Sequence, residues 1–127
     1  MYMCVSIVPA GINGSSGSVE ELSVIIGTST ELHCPVTGLP QPAVHWRRDG
    51  HTITFVDHPN VRVDDAGQTL RLHNMQLIDI GSYTCIASNV AGNASKQFIL
   101  NILGQYIILL CLRNKRHHFY PATHYKR

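Results

Sequence analysis

Four cysteines, eight histidines and eight acidic residues are the groups with which this 127-residue chain could do chemistry. The cysteines are Cys4, Cys34, Cys85 and Cys111. No Cys-x-x-Cys pair occurs, so neither a zinc site of that type nor a thioredoxin-type dithiol is supported. His33 and His45 fall at outward positions of predicted strands in different sheets, and His51 and His58 fall in predicted loops. No His-x-x-x-His sits on a helical stretch, so the spacing of a helical zinc site is missing. His117, His118 and His124 gather near the C-terminal end, where metal binding would be adventitious. The acids Glu20, Glu21, Glu31, Asp49, Asp57, Asp64 and Asp65 scatter over predicted turns and edges. No nucleophile turn accompanies a Ser/His/Asp order, and no glycine-rich phosphate loop follows a strand. The pattern argues against an enzyme, and no cofactor or metal is expected.

The internal cysteines are better read through the elements that carry them. With period two, Tyr83, Cys85 and Ala87 point to one face of a strand, while Thr84, Ile86 and Ser88 point to the other. Leu32, Cys34 and Val36 alternate in the same way, so each strand offers a cysteine to an apolar layer. Trp46 follows Cys34 by twelve residues, and Tyr83 precedes Cys85 by two.

Short strands are predicted along the whole middle of the chain. Val8-Pro9-Ala10-Gly11-Ile12 reads as an opening edge strand, where a proline costs no ladder bond. A polar turn over 13–18 leads to a second edge strand, Leu22 to Ile26. Thr30 to Val36 is a strand, and Gly38 to Pro42 is a loop, because Pro40 and Pro42 push their predecessors to extended conformations. Ala43 to Arg48 follows, with Val44 and Trp46 inward, and Asp49-Gly50 signals a hairpin turn. Thr52 to Phe55 and Val61 to Val63 are brief strands, with a turn over Asp64-Asp65-Ala66-Gly67. Gln68 to His73 places Leu70 and Leu72 inward. Met75 to Asp79 crosses over to the strand Ser82 to Ser88, Asn89 to Gly92 turns the chain, and Lys96 to Leu103 closes it with Phe98, Leu100 and Ile102 inward. No segment sustains a helical period, so an all-β antiparallel sandwich is predicted.

The run Asp79-Ile80-Gly81-Ser82-Tyr83-Thr84-Cys85, with Cys34 and Trp46, resembles immunoglobulin domains of the intermediate set over residues 8–103. Val19-Glu20-Glu21-Leu22-Ser23-Val24 and Cys34-Pro35-Val36-Thr37-Gly38-Leu39-Pro40 resemble most the tandem modules of hemicentins. The resemblance implies a disulfide between Cys34 and Cys85 that joins two sheets, against the alternative of two buried free thiols. It implies a core signature of Trp46, Leu72, Asp79, Gly81 and Tyr83, all structural. Gly81 is read as permitting a tight turn into its strand, and Asp79 as pairing with Arg62. A buried bridge implies an oxidising compartment.

Charge divides the chain. All eight acids lie before residue 113, whereas Arg113, Lys115, Arg116, Lys126 and Arg127 follow with no acid. Residues 1–7 carry no signal, and 104–127 are read as lying outside the domain. Tyr106 to Leu112 is apolar, but a span needs about 20 such residues, so no membrane span is expected. An acidic domain also argues against a nucleic-acid arm. A mis-spliced or read-through end accounts for this tail and for the odd Cys111. No basic n-region opens the chain; an extracellular domain without one reads as a fragment of a longer protein.

Asn13-Gly14-Ser15 and Asn93-Ala94-Ser95 are acceptor triplets for N-glycosylation. The resemblance implies an extracellular, non-enzymatic binding and spacer module of a matrix or adhesion protein, docking other proteins, like modules included. The alternatives are the ectodomain of a membrane-anchored receptor and a module of an intracellular filament, which would lack disulfide and glycans.

Overall fold

The computed structural model describes residues 6–13, 17–54 and 56–104. Their regular structure is β1 (Val8–Ile12), β2 (Val19–Ile25), β3 (Thr30–His33), β4 (Val36–Leu39), β5 (Ala43–Arg48), β6 (His51–Thr52), β7 (Val61–Asp64), β8 (Thr69–Leu72), β9 (Gly81–Asn89) and β10 (Gly92–Leu103), with a 3-10 turn at Leu77–Asp79. One layer is the five-stranded sheet β2-β10-β9-β5-β6. The facing layer comprises the three-stranded sheet β3-β8-β7 and the pair β1-β4. The fold is an all-β immunoglobulin-like sandwich.

Alternation sets the core. Tyr83, Cys85 and Ala87 on β9 and Phe98, Leu100 and Ile102 on β10 are buried, and they meet Leu32, Leu70 and Leu72 from the facing layer. Each buried leucine contributes on the order of 1.5–3 kcal/mol relative to an exposed one. Among the described residues no helix is long and apolar enough to cross a membrane. The apolar run 106–112 and the basic tail lie outside the described residues.

Three local expectations are corrected. The predicted strand over Thr30 to Val36 breaks at Cys34-Pro35, because Pro35 has no N–H for the ladder. The Cys34 amide instead donates to the Gln68 carbonyl at 2.8 Å, and the Val36 amide to the Gln68 side chain at 3.1 Å. Beyond the break β4 changes partner and pairs with β1, so Gly38 and Leu39 belong to a strand rather than to the predicted loop. The second edge strand is longer than expected and pairs with β10 in parallel, not antiparallel, from Val19 opposite Gln97 to Ile25 opposite Leu103. Since β1 is held by β4 in the other layer, the chain crosses over before β2, which then runs along β10 in the same direction. Finally, the strand expected over Thr52 to Phe55 reduces to the two residues of β6; Phe55 lies outside the described residues.

Candidate interaction surfaces

The residues singled out by spacing converge on one staple. Cys34 lies in the break between β3 and β4, Cys85 lies on β9, and the two are disulfide-bonded with Cα atoms 6.6 Å apart. Both are fully buried. The bridge spans 51 positions, and closing such a loop stabilises by roughly 4 kcal/mol in the chain-entropy account. Trp46 stands opposite Cys85 in the β5–β9 ladder. Its ring centroid is 5.8 Å from that of Phe98. Its indole N–H donates to the Gly67 carbonyl at 2.7 Å, so the polar end of a buried ring is satisfied. Gly67 reaches that position through a turn in which Asp65, Ala66 and Gly67 all have positive φ. Leu72 on β8 is fully buried beneath the same layer.

The second group forms a corner at the start of β9. The Tyr83 hydroxyl donates to the Asp79 carbonyl at 2.8 Å. The Asp79 carboxylate accepts from the Gln76 amide at 2.8 Å and from the Asn60 side chain at 3.3 Å. The expected pairing with Arg62 is absent: Arg62 lies exposed on β7, opposite Arg71. A neutral amide therefore takes the place of the guanidinium, and Asp79 is held by hydrogen bonds rather than by an opposite charge. Gly81 also differs from its expected role. It lies within β9, and a Cβ there would stand 2.9 Å from the Asp49 Oδ2. That carboxylate accepts from the Ser82 amide at 3.0 Å, so glycine makes room for a side chain rather than for a turn.

Burial pushes the Tyr83 hydroxyl from 10.0 up to about 12. The charges of Asp79 and Asp49 act in the same direction, while the Arg48 guanidinium, 5.6 Å from the ring centroid, opposes them. A phenol so protected holds its proton at neutral pH and serves as a hydrogen-bond donor, not as a base.

Asn89, by sequence a turn residue, organises one end of the sandwich. Its Oδ1 accepts from the amides of Ala10, Ala91 and Gly92 at 3.2, 3.0 and 3.1 Å. Its Nδ2 donates to the carbonyls of Val8 and Pro40 at 2.8 and 2.9 Å. One amide thus ties together β1, the segment after β4 and the β9–β10 turn. The signal was present as an Asx-turn residue two positions before an amide it could cap. Its partners 49 and 81 positions away carried no local signal. Around it Val8, Leu39 and Val90 are exposed, Val90 at 81%.

The family model for the immunoglobulin I-set domain matches residues 16–102. The chain belongs to the immunoglobulin I-set family. This I-set domain is 42% identical over 96 residues to Hemicentin-1 of Mus musculus, which covers 76% of this chain and 2% of that protein. With Hemicentin-1 of Homo sapiens it shares 41% over 95 residues, 75% of this chain and again 2% of the relative. The chain therefore spans about one fiftieth of the length of these two hemicentin relatives. A chain of the solved titin M10–obscurin-like 1 Ig complex superposes with a TM-score of 0.64 at 27% identity, covering 76% of this chain and 96% of that one. Like the family, the I-set domain is a non-enzymatic structural and binding module.

The outer face of its five-stranded sheet is the second candidate surface. By alternation β9 presents Ser82, Thr84, Ile86 and Ser88 there, and β10 presents Asn93, Ser95, Gln97, Ile99 and Asn101. These two central strands place no charged side chain on the face; Arg47 on β5 and Glu21 on β2 flank it. Of the two acceptor asparagines, Asn93 is exposed on this face. Asn13 is also exposed, its amide donating to the Pro35 carbonyl at 2.8 Å; Gly14 and Ser15 lie outside the described residues. Among the described residues no group of three or more His, Cys, Asp or Glu side chains could hold a metal ion.

Proposed function

We propose that this chain supplies a binding and spacer module, residues 8–103, to an extracellular matrix or cell-adhesion protein, with residues 104–127 outside the module. One observation carries the spacer reading: the two ends of the module are far apart. Val8 is tied to Asn89 beside the start of β10, whereas Leu103 ends β10 against Ile25 and Ile26. The twelve residues of β10 separate these ends by about 37 Å at the rise of an extended strand. A module entered at one end and left at the other extends a chain rather than folding it back. Both ends also carry apolar surface, with Val8, Leu39 and Val90 at the first and Leu77, Ile78 and Ile80 near the second. Exposed apolar groups of this kind suit contact with a neighbouring protein module. The buried disulfide suits an oxidising, extracellular setting, and the hemicentin likeness supports the same compartment. A solved neighbour is itself a complex of titin M10 with obscurin-like 1 Ig, in keeping with other proteins, like modules included, as partners.

The test joins two copies of residues 8–103 head to tail and measures small-angle scattering. An extended pair, longer than the single module by about 35–40 Å, is expected. A pair folded side by side, with a maximum dimension close to that of one module, refutes the spacer reading.

A further inference from the structure

We propose that Asn93 carries an N-linked oligosaccharide that stands on the outer face of the five-stranded sheet. Asn93 and Ser95 are two apart on β10, so the acceptor amide and the hydroxyl of the triplet lie on the same face, and both are exposed. Asn93 is opposite Ser88 on β9, and Ser88 is opposite Ala43 on β5. That row across three strands holds only small side chains, so the first sugars meet no bulk. A shallow depression of about 430 Å³ lies beside the acceptor, lined by Gly17, Ile86, Asn93, Ala94 and Ser95. Along its two central strands the face carries no charged side chain. A glycan at its corner keeps it hydrated and directs partners to the module's ends and edges.

The chemistry needs a lipid diphosphate-linked oligosaccharide and its transferase, both in the secretory lumen. The Asn93 Nδ2 forms a bond to the anomeric carbon of the first sugar, and the bond from that carbon to the diphosphate oxygen breaks. The lipid diphosphate leaves with the electron pair, and the amide proton passes to a base on the transferase. No oxidation or reduction takes place.

The inference rests on the extracellular reading, and the experiment separates the two. The full 127-residue chain is secreted from mammalian cells behind a cleavable leader, and its mass is measured with and without peptide N-glycosidase. The enzyme is expected to remove a glycan and leave aspartate at position 93. Asn93→Gln and Ser95→Ala should each abolish the glycan at this position; Ser95→Ala guards against an effect of changing Asn93 on folding. A secreted chain with an intact Cys34–Cys85 bridge but unmodified Asn93 overturns the inference while leaving the extracellular module reading in place. Modification only at Asn13 overturns it equally. Glycosylated Asn93 in a module whose tandem pair folds side by side supports this site and refutes the spacer reading alone.

Discussion

The Tyr83 hydroxyl closes a buried hydrogen bond onto the carbonyl of Asp79, four residues upstream. This contact locks the 3-10 turn at Leu77–Asp79 to the strand that carries Cys85. It also makes the corner sensitive to alkali. The unfolded phenol loses its proton near 10, whereas the folded one holds it up to about 12. The folded pKa is raised, so this stability is fully present below pH 10 and is lost as pH climbs through 12. A shift of that size corresponds to roughly 3 kcal/mol. Tyr83→Phe should cost about 1 kcal/mol at pH 7 yet remove that part of the decline between pH 10 and 12. Urea titrations of both proteins across the window test this; parallel declines would show that Tyr83 is not the titrating group.

Trp46, opposite Cys85 in the β5–β9 ladder, is 4% exposed, with its ring beside Phe98 and its N–H bonded to Gly67. Trp46→Ala should destabilise by about 3–5 kcal/mol. Trp46→Phe, which keeps much of the volume and loses the hydrogen bond, should cost less. Chemical denaturation midpoints rank the two, and a Trp46→Ala midpoint near wild type contradicts the packing described.

Gly81 and Asp49 should be energetically coupled. A methyl at 81 would stand 2.9 Å from the Asp49 carboxylate, which would have to swing away and give up its bond to the Ser82 amide. Gly81→Ala is expected to cost about 1–3 kcal/mol. Asp49→Gly removes the obstacle, and glycine suits the φ of 49° at that position. The double variant should therefore be more stable than the sum of the single effects predicts, by about 1 kcal/mol. Simple additivity in a double-mutant cycle would contradict the contact.

Asn89→Ala removes partners from five backbone groups at once. A loss of about 2–4 kcal/mol is expected, the larger because β1 is released along with the turn. Asn89→Asp retains the acceptor and loses the donors to Val8 and Pro40, so it should fall between the two. Amide exchange of Ala10 reports β1 directly, and unchanged protection in Asn89→Ala would show that β1 is held by other means.

Truncation after Leu103 should leave cooperative unfolding intact. The last ladder pair joins Leu103 to Ile25, and the Ile26 amide bonds the Leu103 carbonyl at 2.8 Å. Calorimetry of residues 1–103 beside the full chain checks it. A midpoint lower by several degrees would place residues beyond 103 in the folded unit.

The sequence by itself determined the class of fold and much of its core. A period of two assigns each side chain to one face without knowledge of its neighbours, so Leu32, Leu70, Leu72, Tyr83, Phe98 and Leu100 could be placed inward from spacing alone. The Asp49-Gly50 turn was legible for a similar reason, since its backbone demands residues tolerant of positive φ. Which strand lies beside which was not legible, because alternation is identical in parallel and antiparallel pairs. Only the tertiary structure decided that β2 runs with β10 and that the strand through Cys34 changes partner at Pro35. The same limit applies to contacts across the chain. Asn60 rather than Arg62 meets Asp79, Asp49 fills the space left by Gly81, and Asn89 reaches Val8, because folding brings together groups whose separation in sequence carries no periodic signal.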